Sequence, residues 1–222
     1  EIILGNGSND VLELVARTFL SKDDEAIFSE HAFAVYPLVV QAVGAKGIEV
    51  PAVNFAHNLD GFQKAITNKT KVIFIANPNN PTGTLIGKTE IKNFLNNIPT
   101  SIIVVLDEAY DEYLIDEHKS IAFSWLSNFE NLIISRSFSK AYGLAGLRVG
   151  FGAGSSYLVE IMNRIRQPFN VNYLAQQAAI ASLDDDDFIQ LSKKINSQGM
   201  KQISEALDSL DIQYIPSFGN FI

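Results

Sequence analysis

The sequence predicts an α/β fold built on a mainly parallel sheet. Three observations carry the prediction. Short, β-branched apolar runs recur along the 222 residues, segments of helical period lie between them, and polar clusters follow directly on the ends of three of the runs. Strands that alternate with helices in this way need crossover connections, and those connections make neighbouring strands parallel.

Each element follows in order. The opening is abrupt: "EIILGNG" precedes the first helix, "NDVLELVARTFL" (9–20), without any lead-in. That helix has apolar residues at 11, 12, 14, 15, 19 and 20, with Ser8 or Asn9 as its N-cap. Strand "AIFS" (26–29), helix "YPLVVQAVGA" (36–45), strand "KGIEVPAV" (46–53) and helix "LDGFQKAI" (59–66) come next. Strand "KVIFIA" (71–76), helix "KTEIKNFLNNI" (88–98) and strands "SIIVVL" (101–106), "NLIIS" (131–135) and "LRVGFG" (147–152) complete the sheet. After about residue 153 the period is helical: 155–166, 172–183 and 186–210, the last capped by the acidic run Asp184–Asp187, which also complements its dipole. The end, "DIQYIPSFGNFI" (211–222), reads as strands beginning. The expected division is therefore a large α/β domain over 1–185, then a connecting helix and the start of a small domain over 186–222.

Composition narrows the function. The net charge of −8 argues against nucleic acid and against an anionic membrane surface. No cysteine is present, so there is no disulfide, thiolate metal site or cysteine nucleophile. No apolar run reaches the length of a membrane helix and no signal segment opens the chain, so the expected location is the cytoplasm. His31, His57 and His118 lack ligand-like spacing, and no metal site is expected.

The clusters "NPNNPTG" (77–83), "DEAY" (107–110) and "RSFSK" (136–140) each follow a predicted strand. Parallel sheets bind ligands beyond the carboxyl ends of their strands, so the three would meet at one site. "GNGSND" (5–10) adds a helix N-terminus suited to an anion. Ser8, Ser137, Ser139 and Arg148 are phosphate donors. Asp107 follows five apolar residues and needs a cationic or N–H partner when buried. Asn80 and Tyr110 are neutral donors. Lys140 has small neighbours and no acid close in sequence, and burial or a nearby cation would free its amine as a nucleophile. Together these suit pyridoxal phosphate, with Lys140 bound to the aldehyde and Asp107 keeping the pyridine nitrogen protonated. Taken singly, Asp107 is a plausible N-cap, Lys140 a solvated lysine, Arg148 half of a surface ion pair and "NPNNPTG" a turn; their order at strand ends makes the joint reading. "TGTLIGKT" (82–89) lacks the first glycine of a P-loop, and "GNGSND" has Asp10 where a dinucleotide fingerprint needs its last glycine.

The ordered set "NPNNPTG", "DEAY" and "SFSKAYGLAGLRVGF" resembles the fold-type I pyridoxal-phosphate aminotransferases, and among them the histidinol-phosphate aminotransferases; "SEHAFAVYPLVVQAVGA" and "RQPFNVNYLAQQAA" add to the likeness. The resemblance implies a three-layer fold, with helices on both sheet faces. It implies Lys140 as the Schiff-base lysine and proton shuttle, Asp107 on the pyridinium nitrogen, and Asn80 and Tyr110 on the phenolic oxygen. Phe33 would stack on the ring, where many relatives carry tyrosine. Ser8, Asn9 through its backbone N–H, Ser137, Ser139 and Arg148 would hold the phosphate. Asn220 would lie near the substrate. The implied reaction moves an amino group from glutamate to imidazole-acetol phosphate in histidine biosynthesis, in a homodimer. An aromatic amino acid aminotransferase, a related decarboxylase, or a cofactor-binding but non-catalytic fragment are the alternatives. Family members extend past both ends of this sequence, so the amino-terminal arm and most of the small domain, with its carboxylate-binding arginine, are expected to be missing.

Overall fold

The computed structural model describes residues 1–222. One seven-stranded sheet organises them, in the order β1-β7-β6-β5-β4-β2-β3. Its strands are β1 (Ile2–Gly5), β2 (Glu25–Ser29), β3 (Lys46–Val50), β4 (Thr70–Ala76), β5 (Ile103–Asp107), β6 (Leu132–Ser137) and β7 (Gly150–Ala153). The helices are α1 (Ser8–Phe19), α2 (Val35–Ala42), α3 (Leu59–Ala65), α4 (Lys88–Asn96), α5 (Ser156–Ile165), α6 (Tyr173–Leu183) and α7 (Asp186–Ser209). β2 through β6 pair in parallel, while β7 runs antiparallel to both β6 and β1. The link from β6 to β7 holds only short turns, so the chain returns beside β6 in the opposite sense.

Side-chain alternation makes three layers. Val72, Phe74, Ile103, Val105 and Ile133 face one core with Val11, Leu12 and Val15 of α1, Val39 of α2 and Leu158 of α5. Ile73, Ile75, Val104, Leu106, Leu132 and Ile134 face a second core with Phe62 of α3, Ile91 and Phe94 of α4 and Trp125. A strand covered on both faces reads as an unbroken apolar run, which is why β4, β5 and β6 were legible.

Four local expectations need correction. Residues 2–5 form an edge strand, β1, whose alternation is short: Ile3 is buried, Ile2 and Leu4 are exposed. Residues 211–222 form no strand, because their backbone finds other partners: Phe218 N donates to Gly83 O at 2.8 Å and Gly219 O accepts from Asn196 Nδ2 at 3.1 Å. The N-cap of α1 is Gly7, with no side-chain cap, and Asp10 Oδ2 instead accepts from Asn6 N at 2.8 Å. The expected strand at 147–152 is interrupted by a 3-10 turn at Ala145–Leu147 and by Arg148 in the left-handed region (φ 58°), so β7 begins at Gly150. The acidic cap of the last helix is as expected, Asp185 Oδ1 accepting from Phe188 N at 3.0 Å.

Candidate active site

The strand directions bring the polar clusters together. β1, β4, β5 and β6 end at one edge of the sheet, and antiparallel β7 begins there, so Arg148 arrives just before it. They surround a cavity of about 250 Å³. Ser8, Asn9, Phe33, Asn80, Asp107, Tyr110, Ser137, Ser139, Lys140 and Arg148 all line it, with Ala76, Pro78, Ala109 and Ala145 between them.

One end of the cavity is built for an anion. The first N–H groups of α1 have no intrahelical acceptor and carry the positive end of its dipole. Gly7, at φ 81°, lets the chain turn into the helix, and a side chain there would strike the Arg148 guanidinium. A Cβ on Gly150 would lie 2.5 Å from Ser8 N, so this strand start packs directly under the helix N-terminus. Arg148 Nη1 donates to Ser139 Oγ at 3.2 Å and Ala145 O at 2.9 Å, and Ser139 N donates to Ser137 Oγ at 3.1 Å. Two hydroxyls, a guanidinium and free helix amides thus converge without a carboxylate among them.

The other wall carries Asp107. Its Oδ2 accepts from the Tyr36 hydroxyl at 3.0 Å, while Oδ1 is buried with no hydrogen-bond partner. Burial pushes this carboxyl up to about 6, and the Tyr36 bond opposes that only in part. Tyr36 is itself fully buried, stacked on Phe74 at 4.9 Å, and its phenol is raised by burial and then by Asp107. Nearby, the buried imidazole of His57 lies 2.9 Å from Ala76 O, and burial lowers it to about 4.

Lys140 makes no ion pair, and its Nζ sits 5.1 Å from the centre of the Tyr110 ring. The Tyr110 hydroxyl accepts from Asn80 Nδ2 at 2.8 Å. Phe33 is half-buried at the cavity and meets Tyr36 edge-on at 6.0 Å. Phe221 meets the Tyr110 ring edge-on at 5.3 Å. Asn220 is exposed and outside the cavity lining, beside the Tyr113 hydroxyl instead.

Sequence reasoning missed Tyr36 and Arg136. Tyr36 was readable in principle, since a tyrosine on an apolar helix face needs a polar partner and Asp107 needed a donor. Arg136 is mostly buried among Glu108, Asp111 and Glu112, at 2.8, 3.0 and 2.8 Å. Nothing local in the sequence pairs it with acids more than 20 positions away.

The family described as aminotransferase class I and II matches residues 1–222. The chain belongs to that family. It is 59% identical over 222 residues to the histidinol-phosphate aminotransferase of Methylobacillus flagellatus, covering all of this chain and 60% of that relative. It is 54% identical to histidinol-phosphate aminotransferase 1 of Idiomarina loihiensis, with the same coverage. The chain thus spans about 60% of the length of the curated relatives it matches. Among solved aminotransferases, the histidinol-phosphate enzyme of Sinorhizobium meliloti in complex with pyridoxal-5′-phosphate superposes with a TM-score of 0.94 at 26% identity, over 98% of this chain and 59% of that one. The aspartate aminotransferase of Thermus thermophilus, solved with maleate, shares the fold with a TM-score of 0.90 at 23% identity, over 100% of this chain and 60% of that one. No helix of the chain is long and apolar enough to cross a membrane.

Proposed function

We propose that this chain holds pyridoxal phosphate through Lys140 and forms the cofactor-bearing part of a cytoplasmic histidinol-phosphate aminotransferase. The observation that carries this is the bare, buried Asp107 Oδ1 on a cavity wall shared with an unpaired lysine. A protonated ring nitrogen is the partner such an oxygen requires, and an aldehyde is the partner such an amine accepts. When bound, the cofactor supplies an electron sink for the substrate's Cα.

The chain's own residues then have distinct tasks. The N–H groups of Ser8 and Asn9, the hydroxyls of Ser137 and Ser139 and the Arg148 guanidinium hold the phosphate. Asp107 keeps the ring nitrogen protonated, and Tyr36 occupies its other oxygen so that one lone-pair face stays aimed at the cavity. Asn80 and Tyr110 orient the ring by its phenolic oxygen, and Phe33 covers one face. Lys140 Nζ takes and returns the Cα proton, and residues 1–185 carry this whole machinery. Residues 186–222 are the connection to a smaller domain in this reading, with Asn220 at its border.

The relatives' names support histidinol phosphate as one substrate. Glutamate as amino donor and imidazole-acetol phosphate as acceptor belong to this proposal through the family resemblance of the sequence motifs. Self-association as a homodimer belongs to the same reading, favoured by the exposed apolar Ile2, Leu4, Phe123, Ile180 and Leu183 on one face. The test is the visible absorption of the protein with added pyridoxal phosphate, beside Lys140→Ala. A band present in the parent and absent in the variant is expected, followed by its loss on adding glutamate and its return with imidazole-acetol phosphate. Equal spectra for the two proteins defeat the assignment of Lys140. Return of the band with phenylpyruvate alone points to an aromatic substrate, and a band indifferent to glutamate points to a binding protein without catalysis.

A further inference from the structure

Arg136 and Glu108 each sit one residue from the cavity, next to Ser137 and Asp107, yet neither lines it. We propose that Arg136 is a positioning residue: its guanidinium clamps the 107–112 turn to the end of β6, and so aims Asp107 and Tyr110 into the cavity. This rests on the cofactor reading above.

The geometry is that of a fork with every prong engaged. Nε and Nη2 reach Glu108 Oε2 at 2.9 and 2.8 Å, Nη2 also reaches Asp111 Oδ2 at 3.0 Å, and Nη1 reaches Glu112 Oε1 at 2.8 Å. All of these acceptors lie on the one turn that carries Asp107 at its start and Tyr110 at its middle. The guanidinium stands 5.2 Å from the Phe123 ring centre, and Ser120 Oγ donates to the remaining Glu108 oxygen. Backbone bonds within the turn are short-range: Asp111 N to Glu108 O at 3.2 Å, Tyr113 N to Tyr110 O at 3.1 Å and Leu114 N to Asp111 O at 3.0 Å. Past the end of β5, Glu108 N to Ser135 O, at 2.9 Å, ties the turn's backbone to β6.

The charge count also fits positioning better than simple stabilisation. Two buried carboxylates and the mostly buried Glu112 surround one cation, and Glu112 Oε2 has no partner. Apolar packing would hold two strands together at lower desolvation cost. What it would not do is fix the direction of three side chains at once, which the planar guanidinium does and a lysine ammonium cannot.

The test uses Arg136→Lys and, should that variant fail to fold, Glu112→Gln, which removes one prong. Two readouts are taken: hydrogen exchange of the Tyr110–Tyr113 amides without cofactor, and pyridoxal phosphate titration with the absorption spectrum at saturation. Expected are faster exchange, affinity lower by about tenfold or more for Arg136→Lys, and an altered ratio of the bound-cofactor bands. Glu112→Gln should move each readout the same way by less. A role confined to stability lowers the melting temperature while leaving exchange in the turn, affinity and bound spectrum at the parent's values, and that result overturns the proposal. A parent without a Lys140-dependent band sinks the cofactor reading instead; exchange in the turn then still decides whether the clamp exists.

Discussion

Asp107 and Glu108 are neighbours in sequence, both carboxylic acids and both buried, yet their surroundings are opposite. Glu108 turns to Arg136 and Ser120, and both its oxygens are occupied. Asp107 turns to the cavity, makes its one side-chain hydrogen bond to the neutral Tyr36, and keeps one oxygen without a hydrogen bond. It has no ion pair, although the Lys140 charge lies near enough to favour its ionised form. Burial lifts both carboxyls, but for Glu108 the guanidinium is the leading opposing influence, while for Asp107 it is a phenol hydrogen bond. The difference teaches how to sort buried acids. One whose cation is built into the fold serves the fold; one whose cation is missing is prepared for a ligand that brings it.

The largest effect should come from Glu108. Truncating it to alanine leaves Arg136 buried without its main partner, so a loss of about 3–5 kcal/mol in urea-unfolding stability is expected. A loss below 1 kcal/mol would erase the distinction between the two acids.

Asp107→Asn should behave in the reverse sense. Its carboxyl is raised from 3.8 to about 6, so the stability it contributes is present below pH 3.8 and lost as pH rises through about 6. Without cofactor, the asparagine variant should therefore gain on the parent between those values, by about 3 kcal/mol at most. His57 works oppositely, losing stability as pH falls from 6.5 toward 4, but it is common to both proteins and cancels in the difference. With pyridoxal phosphate the same substitution should weaken binding by about 10- to 100-fold, because an amide does not balance a pyridinium charge. A variant that is both less stable and unchanged in affinity would make Asp107 structural.

Arg148→Ala should lower cofactor affinity by about tenfold, checked by competition with inorganic phosphate. Residual affinity would come from the α1 amides and the two serines. The smallest effect is expected of Phe33→Tyr, within about 0.5 kcal/mol in cofactor affinity by titration, since ring stacking does not use the hydroxyl. A larger change would mean that this hydroxyl finds a polar partner in the cavity.

Much of the site was legible because its residues come as contiguous words at strand ends. Asn80, Asp107, Tyr110, Ser137, Ser139 and Lys140 each follow an apolar run, and a parallel sheet sends all such words to one edge. The pairing of Tyr36 with Asp107 was not legible, since it joins residues 71 positions apart through the packing of α2 on the sheet. β1 escaped notice because four residues with one buried side chain carry too little period. Residues 211–222 misled for the opposite reason: β-branched and aromatic residues suggested strands, but their backbone is held by Gly83 and Asn196.

The sequence by itself determined the layered α/β architecture, because apolar period and turn chemistry are local properties that survive any arrangement of the elements. It also determined the chemical inventory of the cavity. The tertiary structure alone decided which charges were left unmatched. Whether a buried acid meets a guanidinium or an empty cavity depends on what the sheet places across from it, and adjacent residues of a strand end face opposite ways. That is why Asp107 and Glu108, indistinguishable as a pair of letters, differ in what they do.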